Sequence, residues 1–117
     1  MSLALHRSDF FRRDFDLQYR WYLASAGEGA AERYCFSVLT TVRCLAEQPD
    51  MGRRRQFRHP ALLGLRSFRV DPPFGVHLIF YRHTAAEFIA ERLMHGARDL
   101  PRRLREPPGA GGNDYPP

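Results

Sequence analysis

The sequence predicts an α+β fold, and three observations carry that prediction. A short apolar run opens the chain, two helical stripes fill its first half, and three strand-like runs at turn spacing fill its second. That order calls for an N-terminal strand, an antiparallel helix hairpin packed on a mainly antiparallel sheet with a C-terminal three-stranded meander, and a short C-terminal helix.

Each element has its own signal. "SLAL" (Ser2 to Leu5) is apolar enough for a first strand, and Ser8 or Asp9 offers a helix N-cap after it. Phe11, Phe15, Tyr19, Tyr22 and Leu23 then trace one face of a helix ending near Ala26 and Gly27. After "GEG", Ala31, Tyr34, Cys35, Val38, Val42 and Leu45 form a second stripe, which Gln48 and Pro49 stop. Only a few residues join the two stripes, so the helices should lie antiparallel. "DMGRRRQFRHPALLG" holds no steady period and reads as a loop. Strand-like runs follow at Leu65 to Val70, Val76 to Arg82 and Glu87 to Met94, separated by "DPPFG" and "HTAA", both short enough for antiparallel turns. "LPRRLR" allows a short helix with Pro101 in its first turn. A single domain is expected over residues 1–105. The Pro/Gly-rich "EPPGAGGNDYPP" of residues 106–117 is expected to be a disordered tail.

Composition narrows the chemistry. At 117 residues, with 44% hydrophobic and 13% aromatic content, the chain can bury one modest core. Its net charge is +5, and all eighteen basic residues are arginine. The absence of lysine excludes any mechanism that needs a lysine amine as base, Schiff-base former or phosphate ligand. Arginine still suits phosphate and carboxylate through its planar fork. Cys35 and Cys44 on one helix would stand roughly 13 Å apart along its axis, too far for a disulfide. A reducing compartment is therefore expected. The start of the chain lacks the apolar run of a signal peptide, and no window approaches a membrane span. The expected location is the cytoplasm, with no membrane partner.

Period two in the last strands makes a further point. Leu78 and Phe80 oppose Ile79 and Tyr81, and Phe88, Ala90 and Met94 oppose Ile89 and Leu93. Both sheet faces are thus apolar, while a helix hairpin covers only one. The other face should be buried by the terminal segment, a second copy or a partner.

Four stretches carry a family resemblance. "AEQPDMGRRR", "GLRSFRV", "HLIFYR" and "HGARDLPRRL", in this order and spacing, resemble the ParE-type toxins of the RelE/ParE superfamily from about Leu3 to Leu104. The resemblance implies the same strand, helix hairpin and meander. It also implies the toxin of a type II toxin–antitoxin module, neutralised by a cognate antitoxin of ParD or similar type, with operator DNA contacted only through that antitoxin. ParE-like members poison DNA gyrase by binding; RelE-like members are ribosome-dependent mRNA endonucleases. The absence of lysine, and of a tyrosine between Arg82 and Tyr115, favours the gyrase poison. An RNase would have to draw on His95, Arg66, Arg82 and Arg98. A remnant that binds antitoxin without toxicity is a further alternative. An RNA-binding module outside the family would need exposed sheet aromatics, most of which the core requires.

The remaining assignments are expectations about surfaces. Arg66, Arg69, Tyr81, Arg82 and Arg92 lie in the strands and are candidates for antitoxin contact. Arg53, Arg54 and Arg55, with Trp21, are candidates for target contact, whether that target is protein or nucleic acid. Within "HGARD", Gly96 allows a tight exit from the strand, Asp99 can accept from the amides of the following helix, and Arg98 can pair with a carboxylate. Glu87 and Glu91 have no histidine or cysteine at ligand spacing, so neither a metal nor a cofactor is expected.

Overall fold

Ser8 marks where the first strand becomes the first helix. In the computed structural model, which describes residues 3–96 and 100–109, β1 (Ala4–Arg7) runs directly into α1 (Asp9–Ala26). The Ser8 Oγ accepts from the Phe11 amide at 3.0 Å and donates to the Glu91 carbonyl at 2.7 Å. One hydroxyl therefore caps the helix and ties it to the sheet. β1 extends two residues beyond the apolar "SLAL" run because pairing sets its extent: Ala4 to Arg7 align in parallel with Glu87 to Ala90.

A single residue joins the helices. Gly27 has φ 91°, a conformation open to glycine and strained for other residues, and α2 (Glu28–Glu47) begins immediately after it. Glu28 and Gly29, expected in a linker, are helical. The predicted stripe of α2 is the buried one, with Ala31, Tyr34, Val38, Val42 and Leu45 all at 0–1% exposure. On α1, Phe11 is buried and Phe15, Tyr19 and Tyr22 pack against the same core, while Leu23 is left at the surface.

The sheet has the order β1-β5-β4-β3-β2, with β2 (Arg53–Arg54), β3 (Arg66–Arg69), β4 (His77–His83) and β5 (Glu87–His95). Only the β1–β5 pair is parallel. β2 lies inside the stretch that reads as a loop. Two residues have no period to read, and they become a strand only by pairing with Ser67 and Arg66 of β3. The short α3 (Leu100–Arg103) contains Pro101 in its first turn, as its sequence predicts.

One expectation about the faces is corrected by a bulge. Phe80 pairs with Arg92 and Tyr81 with Ala90, so Glu91 has no partner on β4. An extra residue inverts the alternation beyond it. Phe88, Ala90 and Leu93 therefore share the helix-side core with Ile79 and Tyr81, and Met94 joins Phe80 on the opposite face. Part of that second face is covered from within the chain itself. Leu62 and Leu65 from the β2–β3 connection and Leu104 after α3 are buried with Phe80 and Met94, and Phe57, Leu78 and Leu100 pack around them. Among the described residues, no helix is long and apolar enough to cross a membrane.

Candidate functional site

The strand arginines do not form one patch, because each is claimed by a different neighbour. Arg66 turns toward the end of α2. Its Nη1 donates to the carbonyls of Asp50 (3.3 Å) and Gly52 (3.0 Å), and its Nη2 pairs with the Asp50 carboxylate at 3.3 Å. His83 reaches the same carboxylate at 3.2 Å. Tyr81, beneath them, donates from its hydroxyl to Pro49 O at 2.6 Å and accepts from the Gly52 amide at 2.9 Å. These contacts fasten the exit of α2 to the middle of the sheet.

Arg82 leaves the other face. It donates to the carbonyls of Leu63 (3.1 Å) and Ala61 (2.6 Å) and pairs with Glu91 at 2.7 Å. The connection that covers the second face is held there by this one side chain.

Arg92 is the most enclosed. Its guanidinium forms a bidentate pair with Asp14, at 2.8 and 3.0 Å, and donates to the carbonyls of Arg103, Leu104 and Glu106. The Phe10 ring lies 5.2 Å away. Asp14 also accepts from the Leu93 amide at 3.0 Å, an edge group that β1 no longer covers because its pairing stops at Ala90. Burial raises the Asp14 pKa, against the opposing hydrogen bonds and charge of Arg92. Such a pair is satisfied on every side yet strongly dependent on both partners.

Histidines gather at the far end of β4 and β5. His77 is buried, bonded through Nε2 to the Tyr22 hydroxyl at 2.8 Å, and held neutral: burial, and secondarily the nearby His95, lower its pKa to about 4. His95 is its cross-strand partner, with ring centroids 6.3 Å apart.

These positions decide how the predicted residues relate. Arg66 pairs across strands with Tyr81 on the helix side, whereas Arg82 serves the second face. His95 aligns with His77, five residues along β4 from Arg82, or about 17 Å at strand rise. The three described members of the RNase set do not converge, and Arg98 lies outside the described residues, as does Asp99. Tyr81 and Arg92, expected to face an antitoxin, are instead inside the domain at 0% and 5% exposure, because the α2 exit and the C-terminal segment occupy their polar groups. Arg69, Arg53 and Arg54 are exposed, Arg55 is half-buried, and Trp21 is half-buried edge-on to Tyr22 at 5.2 Å.

With this fold and arginine layout in place, the comparison with known families is decisive. Residues 6–100 match the family described as ParE toxin of type II toxin-antitoxin system, parDE. The chain belongs to the ParE toxin family. A solved structure described as the chromosomal ParDE TA system from P. aeruginosa superposes with a TM-score of 0.65 at 18% identity, covering 80% of this chain and 96% of that one. At that identity the likeness establishes the shared fold. No curated protein matches the chain by sequence.

For this ParE-family chain, Asp14 and His77 are among the enclosed polar groups that the sequence reading does not single out. Asp14 falls three residues after Phe11 and one before Phe15, so a carboxylate in the middle of an apolar stripe was its visible signal. His77 shares its alternation with Ile79 and Tyr81, which places it on the helix-side face.

Proposed function

We propose that this ParE-family toxin acts by binding DNA gyrase and that a cognate ParD-like antitoxin neutralises it. The observation that carries this reading over a ribosome-dependent nuclease is the dispersal of Arg66, Arg82 and His95. Cutting RNA at a 2′-hydroxyl needs a base, a phosphorane-stabilising cation and an acid around one phosphate. Here two of the three arise from opposite sheet faces, the third lies far along the sheet, and both arginines already hold carboxylates. A binding mode makes no such demand. For the antitoxin, the partly exposed side chains of Arg66 and Arg82 remain within reach of a partner's carboxylates, as does the exposed Arg69 at the other end of β3.

Purified toxin added to gyrase, relaxed plasmid and ATP tests the reading. Loss of supercoiling with accumulation of cleaved plasmid, reversed by the antitoxin, is expected. Unimpaired supercoiling, together with message cleavage in programmed ribosomes, would sink it in favour of the RelE-like alternative.

A further inference from the structure

On the second sheet face, a cavity of about 550 Å³ lies between β2, β3 and the start of α3. Its walls include Arg53, Arg55, Arg69, Ser67, Leu78 and Leu100, and no carboxylate among the described residues lines it. Strand geometry brings the three guanidinium groups together. Arg53 sits opposite Ser67, and Arg69 opposite Leu78, a residue of the second-face cluster. Arg55, two residues beyond Arg53, returns to that side. It lies 5.7 Å from the centroids of both Phe57 and Phe80, and its Nε is buried without a hydrogen-bond partner.

The contrast with the arginines that fasten the sheet to its neighbours is in charge. Arg66, Arg82 and Arg92 each meet a carboxylate, whereas none of Arg53, Arg55 and Arg69 forms an ion pair among the described residues. Burial and the nearby Arg53 charge lower the Arg55 pKa, the signature of cations crowded without a counter-charge. Like charges fixed on adjacent strands are unfavourable in the free chain and favourable beside a polyanion.

We propose that this groove binds the phosphodiester backbone of duplex DNA, so that the toxin grips the DNA its target holds. The DNA contact stands on the groove alone; its part in poisoning rests on the gyrase reading. Arg53 and Arg55 repeat at about 7 Å along their segment, a spacing suited to successive charges on one backbone. Base recognition is not built in. Phe57 is beneath Arg55, and Phe68, although it touches the groove wall, packs against the helix-side core, so no ring of the described residues stands free in the groove for stacking. Leu78 and Leu100 are already packed into the second cluster, which leaves Met51 as the exposed apolar side chain of the wall, a single anchor for an acidic protein segment.

The test is fluorescence anisotropy of the full chain with a short labelled DNA duplex of arbitrary sequence, across a salt series. Arg53→Gln with Arg69→Gln should weaken binding roughly tenfold and reduce the salt slope by about 2, one unit per lost phosphate contact. Both positions are exposed, and an unchanged melting curve checks that the variant folds. Arg12→Gln with Arg13→Gln, exposed on α1, should change much less. An equal loss from that pair would mean diffuse charge and overturn the proposal, as would no loss from the groove variant. Displacement of the duplex by poly-glutamate as effectively as by unlabelled DNA would overturn it in favour of an acidic protein ligand. The supercoiling assay separates the two readings. Wild-type toxin that binds DNA through the groove yet leaves gyrase untouched sinks the gyrase reading only. A groove variant that loses DNA binding but poisons gyrase fully sinks the groove's role in poisoning.

Discussion

On the helix side of the sheet, Tyr34, Val38, Val42 and Leu45 meet Ile79, Tyr81, Phe88 and Ala90, all nearly free of solvent contact. On the opposite side, a smaller cluster of Leu62, Leu65, Phe80, Met94 and Leu104 lies under a connection and a four-residue helix. Aliphatic and aromatic burial suffices for the first face. On the second, side-chain ties supplement a thin cover: Arg82 holds the connection by the carbonyls of Ala61 and Leu63, and Arg92 holds the C-terminal segment by those of Arg103, Leu104 and Glu106. Arginine forks thus do on one face what hydrophobic area does on the other. That thinner cover leaves beside it the groove lined by Arg53, Arg55 and Arg69.

The sharpest way to break this arrangement is at Asp14, which joins α1 to the Arg92 clasp. Asp14→Ala leaves an enclosed guanidinium without its counter-charge and should cost about 3–5 kcal/mol in urea unfolding. A loss below about 1 kcal/mol would mean that the pair does not hold the C-terminal segment. Next in size is a direct comparison of the faces. Leu45→Ala, deep in the helix-side core, should cost about 4 kcal/mol, and Leu104→Ala about 2 kcal/mol, because a thin cover can collapse into the space. Equal losses would contradict the difference in packing.

A pH series sharpens the helix-side half. The folded-state pKa of His77 is depressed from 6.5 to about 4, chiefly by burial against Tyr22 and Tyr34 and then by His95. The unfolded chain therefore takes up the proton first as pH falls, so this contribution is complete above the unfolded pKa and is lost as pH drops from 6.5 toward 4. Stability should fall by about 2 kcal/mol between pH 7 and pH 5, and His77→Gln should remove that step. An identical pH profile in the variant would count against the buried neutral imidazole. The smallest effect is expected at Arg82, whose pair with Glu91 is about a third exposed: Arg82→Gln should cost about 1 kcal/mol and raise protease cleavage in the β2–β3 connection.

Much of the fold could be read from residue order. The α2 stripe, the Ser8 cap, the α1 exit at Gly27 and the meander with its two turns are local signals, each set within a few residues. Two features resisted because they are not local. β2 exists only through its pairing with β3, and the Glu91 bulge reverses Leu93 and Met94 relative to strict alternation. Site reading was limited in the same way. Arginine in a strand looks alike from sequence whether it meets a partner or its own chain, and Tyr81 and Arg92 belong to the second kind.

The amino-acid sequence by itself determined the order of the first strand, the helix pair and the meander, the apolar character of both sheet faces and the exclusion of lysine chemistry, because periodicity and composition are properties of neighbours along the chain. Only the tertiary structure decided which arginines are spent on Asp50, Glu91 and Asp14, and which three share a groove that no carboxylate among the described residues lines. The reason is that a guanidinium's partner is chosen by distances between elements far apart in sequence, set by strand register, by a bulge and by a C-terminal segment folding back.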